Sequence, residues 1–85
     1  MAIDLLYFAW MREAIGTGSE QVDPPVDVTT IADLVDWLGT RGGGYATAFA
    51  DRQRLRAAVD QAFVPLDTPL AGAREVALFP PVTGG

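Results

Sequence analysis

The chain is short and acidic, and it lacks two residue types on which many active sites depend. Its 85 residues, 49% of them apolar, suffice for one domain with a single core, and the absence of cysteine and histidine excludes disulfides, thiolate or imidazole metal sites and Ser-His or Cys-His catalysis. The net charge of −5 and the lack of a dense basic cluster argue against nucleic acid as a partner.

The first predicted element is a strand from Ile3 to Trp10. Its two faces alternate: one carries Ile3, Leu5, Tyr7 and Ala9, and the other carries Asp4, Leu6, Phe8 and Trp10. Asp4 marks the second face as the more hydrated one. After a break at residues 16–19, Glu20 to Asp23 is predicted to pair back as a second strand, which completes a hairpin with a long loop.

A helix is predicted from about Thr30 to Arg41. Thr30 stands three residues before Asp33, as in a capping box, and apolar residues follow at helical spacing. The three glycines at 42–44 are expected to end this helix as a C-cap and loop, because no Lys-Ser or Lys-Thr pair follows them as in a phosphate-binding loop. A short, weakly defined helix is predicted around Tyr45 to Ala50.

Short strands are predicted in the second half of the chain. They run from Leu55 to Val59, over Phe63-Val64 after a turn at Asp60-Gln61, and from Glu75 to Phe79, with a connecting loop at 65–70. These elements predict an α+β fold in which the long helix lies across one face of the sheet.

The closing strand carries aromatic and apolar side chains on both faces. Alternation places Val76 and Leu78 in the core and turns Phe79 outward. If the first and last strands are neighbours, Phe8 and Phe79 form one apolar surface patch. Leu6 and Phe63 are candidate members of the same patch.

An extended tail is predicted after the domain of residues 1–79. It consists of Pro80, Pro81, Val82, Thr83, Gly84 and Gly85. Two prolines donate no backbone hydrogen bonds, so the sheet must stop at Pro80. Six extended residues reach about 20 Å, and the two glycines lack the Cβ atoms that would bar a narrow channel. We expect the Gly85 carboxylate to enter another protein's active site; an ordinary frayed terminus is the alternative.

The chain's own side chains offer no acid–base or nucleophilic constellation. The acidic residues Asp51, Asp60, Asp67 and Glu75 fall in predicted turns or at strand ends, where solvated charges are common. The chain also contains no lysine, so it has no Schiff-base residue. If the chain takes part in catalysis, its own side chains are therefore poor candidates for the catalytic groups.

The final eleven residues resemble the closing strand and tail of a known family. From Glu75 to Gly85 the chain is similar to the small, sulfur-carrying subunit of molybdopterin synthase, in the ThiS/MoaD-like group of ubiquitin-like β-grasp proteins. Further likeness lies in Tyr7-Phe8-Ala9 with Arg12-Glu13, in the capped helix, in Ala58-Val59-Asp60-Gln61 and in Asp67-Thr68-Pro69-Leu70. Two turns depart from the pattern: Asp60 replaces the usual Asn, and Gly72-Ala73-Arg74 replaces an acidic turn.

The resemblance implies a β-grasp fold with a mixed sheet and a role as a sulfur carrier. The Gly85 carboxylate would be adenylated with ATP by an E1-like activating enzyme, converted to a thiocarboxylate by a sulfur donor, and used to build the molybdopterin dithiolene from cyclic pyranopterin monophosphate. Gly84 would give the tail access to the active site. The chain would bind no cofactor itself, and the large subunit would supply the catalytic groups, in an assembly of two small and two large subunits.

The resemblance also assigns the partner interface. Phe8, Phe63 and Phe79 match an apolar docking surface, and Pro80, Pro81, Val82 and Thr83 would stiffen and guide the tail.

Three alternatives remain from the residues. The same fold and diglycine end serve sulfur carriers of thiamine synthesis or another pathway, a ubiquitin-like modifier would join Gly85 to a lysine, and an interaction module would leave the tail inert. The Phe-Pro-Pro-Val-Thr run favours the molybdopterin branch. No stretch approaches the roughly 20 apolar residues of a membrane span and no signal-peptide pattern is present, so we expect a cytoplasmic protein without a membrane partner.

Overall fold

A computed structural model describes residues 2–81, which fold around a five-stranded mixed sheet. The strands are β1 (Ile3–Tyr7), β2 (Ser19–Val22), β3 (Arg56–Val59), β4 (Ala62–Val64) and β5 (Glu75–Phe79). They lie in the order β2-β1-β5-β3-β4, with β1 and β5 parallel at the centre and every other neighbouring pair antiparallel. The predicted closing strand is confirmed, and the first and last strands are neighbours, as the predicted apolar patch required.

The helices are α1 (Ala9–Ile15), α2 (Ile31–Gly39) and α3 (Gly43–Ala48), with one 3-10 turn at Arg52–Arg54 before β3. Among residues 2–81, none of them is long and apolar enough to cross a membrane.

The helix α1 was not predicted, and the predicted first strand is three residues too long. The strand ends at Tyr7, and Trp10 belongs to α1. The two-face pattern that predicted a strand extends by coincidence as far as Trp10. That segment instead begins a helix, which buries Met11 in the core. A seven-residue helix is too short to establish its own period, so packing decides its structure.

The start of α2 is confirmed in detail. The Thr30 hydroxyl accepts a hydrogen bond from the Asp33 backbone, and the Asp33 carboxylate accepts one from the Thr30 backbone, which makes a capping box. The hydrogen bonds that Asp33 accepts, above all from the backbone of Thr29, hold the pKa of its carboxyl below the usual range.

The three glycines at 42–44 do not end α2, so their assignment to a C-cap and loop is wrong. Thr40 is the C-cap of α2, whereas Gly42, with φ of +75°, is the N-cap of α3, and Gly43 and Gly44 lie inside that helix. The predicted short helix therefore exists but begins two residues earlier.

One face of the sheet packs against the helices to form the core. Its fully buried members come from every layer: Ile3, Leu5, Tyr7, Met11, Ile31, Leu34, Val35, Leu38, Leu55, Val76 and Leu78. The predicted core faces of β1 and β5 are thus confirmed, and within residues 2–81 no helix covers the outer face of the sheet.

A polar cluster links strand β2, at the edge of the sheet, to the helices through hydrogen bonds. Glu20 accepts hydrogen bonds from the hydroxyls of Tyr7 (2.8 Å) and Tyr45 (2.6 Å) and from the Arg41 guanidinium (2.8 Å). Although partial burial opposes ionisation, these hydrogen bonds lower the pKa of Glu20 below its usual value. Burial, together with the bond to Glu20, raises the pKa of Tyr7, so that phenol stays protonated.

The turn between β3 and β4 is tied directly to the start of β5. Asp60 and Gln61 have φ of +48° and +73°, the left-handed conformation of a tight hairpin turn. One carboxylate oxygen of Asp60 accepts the backbone N–H groups of Arg74 (3.1 Å) and Glu75 (3.0 Å). The departure from the family's usual Asn is therefore accommodated, since either side chain offers an acceptor oxygen and tolerates this conformation.

We expect Asp60→Ala to lower the free energy of unfolding by about 1–2 kcal/mol, because it removes two hydrogen bonds and the short polar side chain that makes Asp tolerant of the left-handed conformation. Asp60→Asn, which keeps the acceptor, is the matched control and should stay within about 0.5 kcal/mol of the unchanged protein. Urea denaturation measures both variants. Equal stability of the two would refute the structural role of this acceptor.

Candidate functional site

The outer face of the sheet carries an apolar depression beside the point where the tail begins. We call it the aromatic patch; it is lined by Leu6, Phe8, Ala9, Ala58, Gln61, Phe63, Glu75, Ala77, Phe79, Pro80 and Pro81. Phe8 is 47% exposed and Phe63 is 84% exposed. An exposed aromatic surface of this kind is typical of a protein interface.

Two central strands bring Phe8 and Phe79 together. The parallel register pairs Tyr7 with Leu78, so Phe8 and Phe79, which directly follow these two residues, lie side by side. The backbone N–H of Phe8 donates to the carbonyl of Leu78 (3.2 Å), which holds Phe8 at the sheet after β1 has ended. The predicted pairing of these two aromatic residues on one surface is confirmed.

Ala9 fixes the direction in which the chain leaves Phe8. It has φ of +56°, a conformation that costs an L-residue roughly 1–2 kcal/mol, and it lines the aromatic patch as the first residue of α1. Local backbone strain of this kind concentrates at functional sites. The turn from β1 into α1 leaves Phe8 on the outer face of the sheet.

The hairpin of β3 and β4 supplies the third aromatic residue. The register pairs Ala58 with Phe63 and with Ala77, so small side chains form the floor of the aromatic patch and the phenyl rings stand around it. The rings of Phe63 and Phe79 lie 5.7 Å apart with a tilt of 52°, a favourable aromatic contact. Phe63, a candidate member of the patch in the sequence analysis, is thus confirmed there.

The root of the tail belongs to the same surface. Pro80 and Pro81 directly follow β5 and line the aromatic patch while partly buried. The prediction that the sheet stops at Pro80 is confirmed, since β5 ends at Phe79. The remaining tail residues, Val82, Thr83, Gly84 and Gly85, lie outside the described residues.

The described residues are arranged for binding. Between Ala2 and Pro81 no group of three or more acidic side chains is placed to hold a metal ion. The aromatic patch offers apolar surface and small floor residues, with Gln61 and Glu75 as polar members at its edge. This chemistry suits the docking of a protein surface beside the tail.

Comparison with known proteins identifies the family of the chain. The model of the ThiS family matches residues 5–85. The chain belongs to the ThiS family. A "Molybdopterin synthase sulfur carrier subunit" of Escherichia coli strain K12 is 41% identical over 83 residues, which cover 98% of this chain and 99% of that protein. The protein of the same name from Mycobacterium tuberculosis is 37% identical over 84 residues, with coverage of 98% and 96%.

Solved structures support the same fold for this ThiS-family chain. SAMP1 from Haloferax volcanii is 26% identical, with a TM-score of 0.71 and full coverage of both chains. A putative molybdopterin converting factor, subunit 1, from Pyrococcus furiosus is 22% identical, with a TM-score of 0.71 and coverage of 96% of this chain and 99% of that one. These likenesses confirm the predicted ubiquitin-like β-grasp fold.

Sequence reasoning missed the supporting members of the aromatic patch. Alternation turned Ala77 outward together with Phe79, but only the strand register identifies Ala58 and Ala77 as floor residues, and Ala9 was assigned to the opposite face of a longer strand. A short side chain on an outward-facing strand position was the available signal for the first two. For Ala9 no signal existed, because its position depends on the turn into α1.

Proposed function

We propose that this chain is the sulfur carrier subunit of a molybdopterin synthase and that Gly85 carries the sulfur. The observation that supports this most strongly is the likeness to two sulfur carrier subunits, which are 41% and 37% identical over nearly the full length of the chain. The family match also extends through Gly85. The aromatic patch at the root of the tail adds the docking surface that such a carrier requires.

The chemistry follows from the low reactivity of a carboxylate toward nucleophiles. In our proposal the Gly85 carboxylate attacks the α-phosphorus of ATP on an E1-like activating enzyme, and pyrophosphate leaves. Hydrosulfide released by a sulfur donor then attacks the acyl carbon of the adenylate, the bond between that carbon and the AMP oxygen breaks, and AMP departs; loss of the sulfur-bound proton leaves a thiocarboxylate. ATP is therefore a substrate of the activating enzyme, and the carrier itself needs no bound cofactor.

Delivery of the sulfur requires the tail to enter the large subunit. The aromatic patch would dock on that subunit while Pro80 to Thr83 guide the extended chain and the glycines pass the constriction. The sulfur would be transferred to cyclic pyranopterin monophosphate, and the large subunit would provide the acid–base groups. A fixed dock is needed because reacting atoms must be held about 3–3.5 Å apart in the correct orientation.

The decisive experiment is the intact mass of the purified chain after incubation with ATP, an activating enzyme and a sulfur donor. We expect a shift equal to one oxygen replaced by sulfur. The loaded chain, mixed with the large subunit and cyclic pyranopterin monophosphate, should then yield molybdopterin. Transfer of sulfur only to a thiazole precursor would favour the thiamine pathway, and covalent adducts on lysines of other proteins would favour a modifier; either result would refute the proposal.

Phe79→Asp should raise the dissociation constant for the large subunit by at least about 30-fold, since it places a charge in the aromatic patch beside the Phe63 ring. Phe63→Asp tests the same surface at a side chain that is 84% exposed and contributes less to the fold. Titration calorimetry measures the affinity.

The matched control for these two substitutions is Val26→Asp. Val26 is 96% exposed and lies outside the aromatic patch, in the loop after β2. This variant undergoes the same apolar-to-acidic change and should bind normally. Normal binding by both phenylalanine variants would contradict the assigned docking surface.

A further inference from the structure

Along the direction of its strands, the outer face of the sheet changes from acidic at one end to basic at the end near the tail. The strand register defines three rows across the face. The row farthest from the tail holds Asp4 beside Glu75, the middle row holds Leu6, Ala77, Ala58 and Phe63, and the row at the root of the tail pairs Phe79 with Arg56. The apolar middle of the aromatic patch is thus flanked by acidic groups on one side and by a basic group on the other.

A second arginine, Arg54, contacts Trp10, which directly follows the patch residue Ala9 in the chain. The Arg54 guanidinium lies over the Trp10 ring, 5.8 Å from its centroid. Arg56 donates to the backbone carbonyls of Gln53 and Leu55. Within residues 2–81 neither of these two guanidinium groups forms a salt bridge, whereas Arg52, next to them in sequence, is paired with Asp36.

The opposite side is acidic despite one arginine. Asp4, Asp60 and Glu75 surround a shallow depression there together with Arg74 and Gln61. Gln21 donates to Asp4 (3.1 Å), and the Asp60 carboxylate is occupied by backbone N–H groups. In a chain with 11 acidic residues and 6 basic ones, Arg56 beside Phe79 and Arg54 two positions earlier, both without a salt bridge within residues 2–81, run against the overall charge.

We propose that this gradient orients docking: the partner presents carboxylates opposite Arg54 and Arg56 at the mouth of the channel that receives the tail, and cationic side chains opposite Asp4 and Glu75. The inference rests on the proposed function and adds to it the charge pattern of the partner surface. Apolar contact is non-directional, so an apolar patch alone can dock in more than one rotation, but only one rotation directs the tail into the channel. Complementary charges on the two sides of the patch exclude the wrong rotations, because juxtaposed like charges repel, and they accelerate association.

The test is the association rate constant with the large subunit, measured by stopped-flow at low and high ionic strength. Arg56→Gln and Arg74→Gln remove the same charge from exposed arginines at opposite ends of the gradient, and each is checked by thermal melting. We expect Arg54→Gln/Arg56→Gln to slow association about 3- to 10-fold at low salt, with a smaller effect at high salt. Arg56→Lys keeps the charge and should retain most of the rate, and Arg74→Gln should leave the rate unchanged or raise it.

The outcomes separate this inference from the proposed function. If the unchanged protein binds but Arg74→Gln slows association as much as Arg56→Gln, only the net charge matters and the gradient is refuted. A double variant that associates at the normal rate would also refute the gradient while leaving the proposed function intact. Failure of the unchanged protein to bind the large subunit would overturn the proposed function together with this inference.

Discussion

Deleting Gly85 is expected to abolish sulfur loading and transfer while leaving the fold unchanged. The shortened chain still ends in a glycine carboxylate, but that group lies about 3.3–3.6 Å short of its position in the full-length chain. A misplacement of about 1 Å can cost roughly 100-fold in rate, so the loss should exceed that factor. Adding one residue after Gly85 should be equally harmful, because it displaces the carboxylate in the opposite direction. Intact-mass spectrometry of the loaded chain measures the effect.

Docking provides the internal control for this deletion. The aromatic patch lies wholly within residues 6–81, so the shortened chain should bind the large subunit with nearly normal affinity and melt at the normal temperature. Phe79→Asp should show the reverse combination, with an intact tail and weak docking. Normal thiocarboxylate formation by the shortened chain would show that Gly85 is not the reacting residue, whatever its docking affinity.

The parts of the fold that follow from local chemistry were predictable from the sequence. A capping box at Thr30 and Asp33 fixes where α2 begins, and two prolines fix where β5 ends. Period-two alternation then assigns Val76 and Leu78 to the core. The placement of Phe8 beside Phe79 needed one further assumption, that β1 and β5 are neighbours, and the register confirms it.

The remainder depends on tertiary contacts that no local pattern reveals. The helix α1 is seven residues long and contributes Met11 to the core, so its stability comes from packing more than from its own sequence period. Arg56 was visible only as one of several spaced arginines, and the register alone shows that it stands beside Phe79. The charge gradient therefore could not be predicted, because it exists across strands that are distant in sequence.

Gly44→Ala should be among the most destabilising single substitutions in the described part of the chain. A Cβ added at Gly44 would lie 1.8 Å from the backbone carbonyl oxygen of Ala14 and 3.0 Å from the Cα of Ile15. Because backbone atoms cannot rotate away, α1 and α3 would have to separate, and overpacking of this kind costs about 1–3 kcal/mol or more. The midpoint of urea denaturation should fall accordingly.

Gly39→Ala is the matched control for this substitution. Gly39 is the last residue of α2, and a Cβ there would meet no atom within 4 Å. Replacing a helical glycine in open space should leave stability unchanged or raise it by about 0.5–1 kcal/mol. The comparison also bears on docking, since α1 begins at Ala9 in the aromatic patch and any shift of α1 moves the support of Phe8. Equal denaturation midpoints for the two variants would contradict the close approach of α1 and α3. If the Gly44→Ala chain is less stable and also binds the large subunit more weakly, the packing of α1 against α3 helps to hold the aromatic patch in its binding shape.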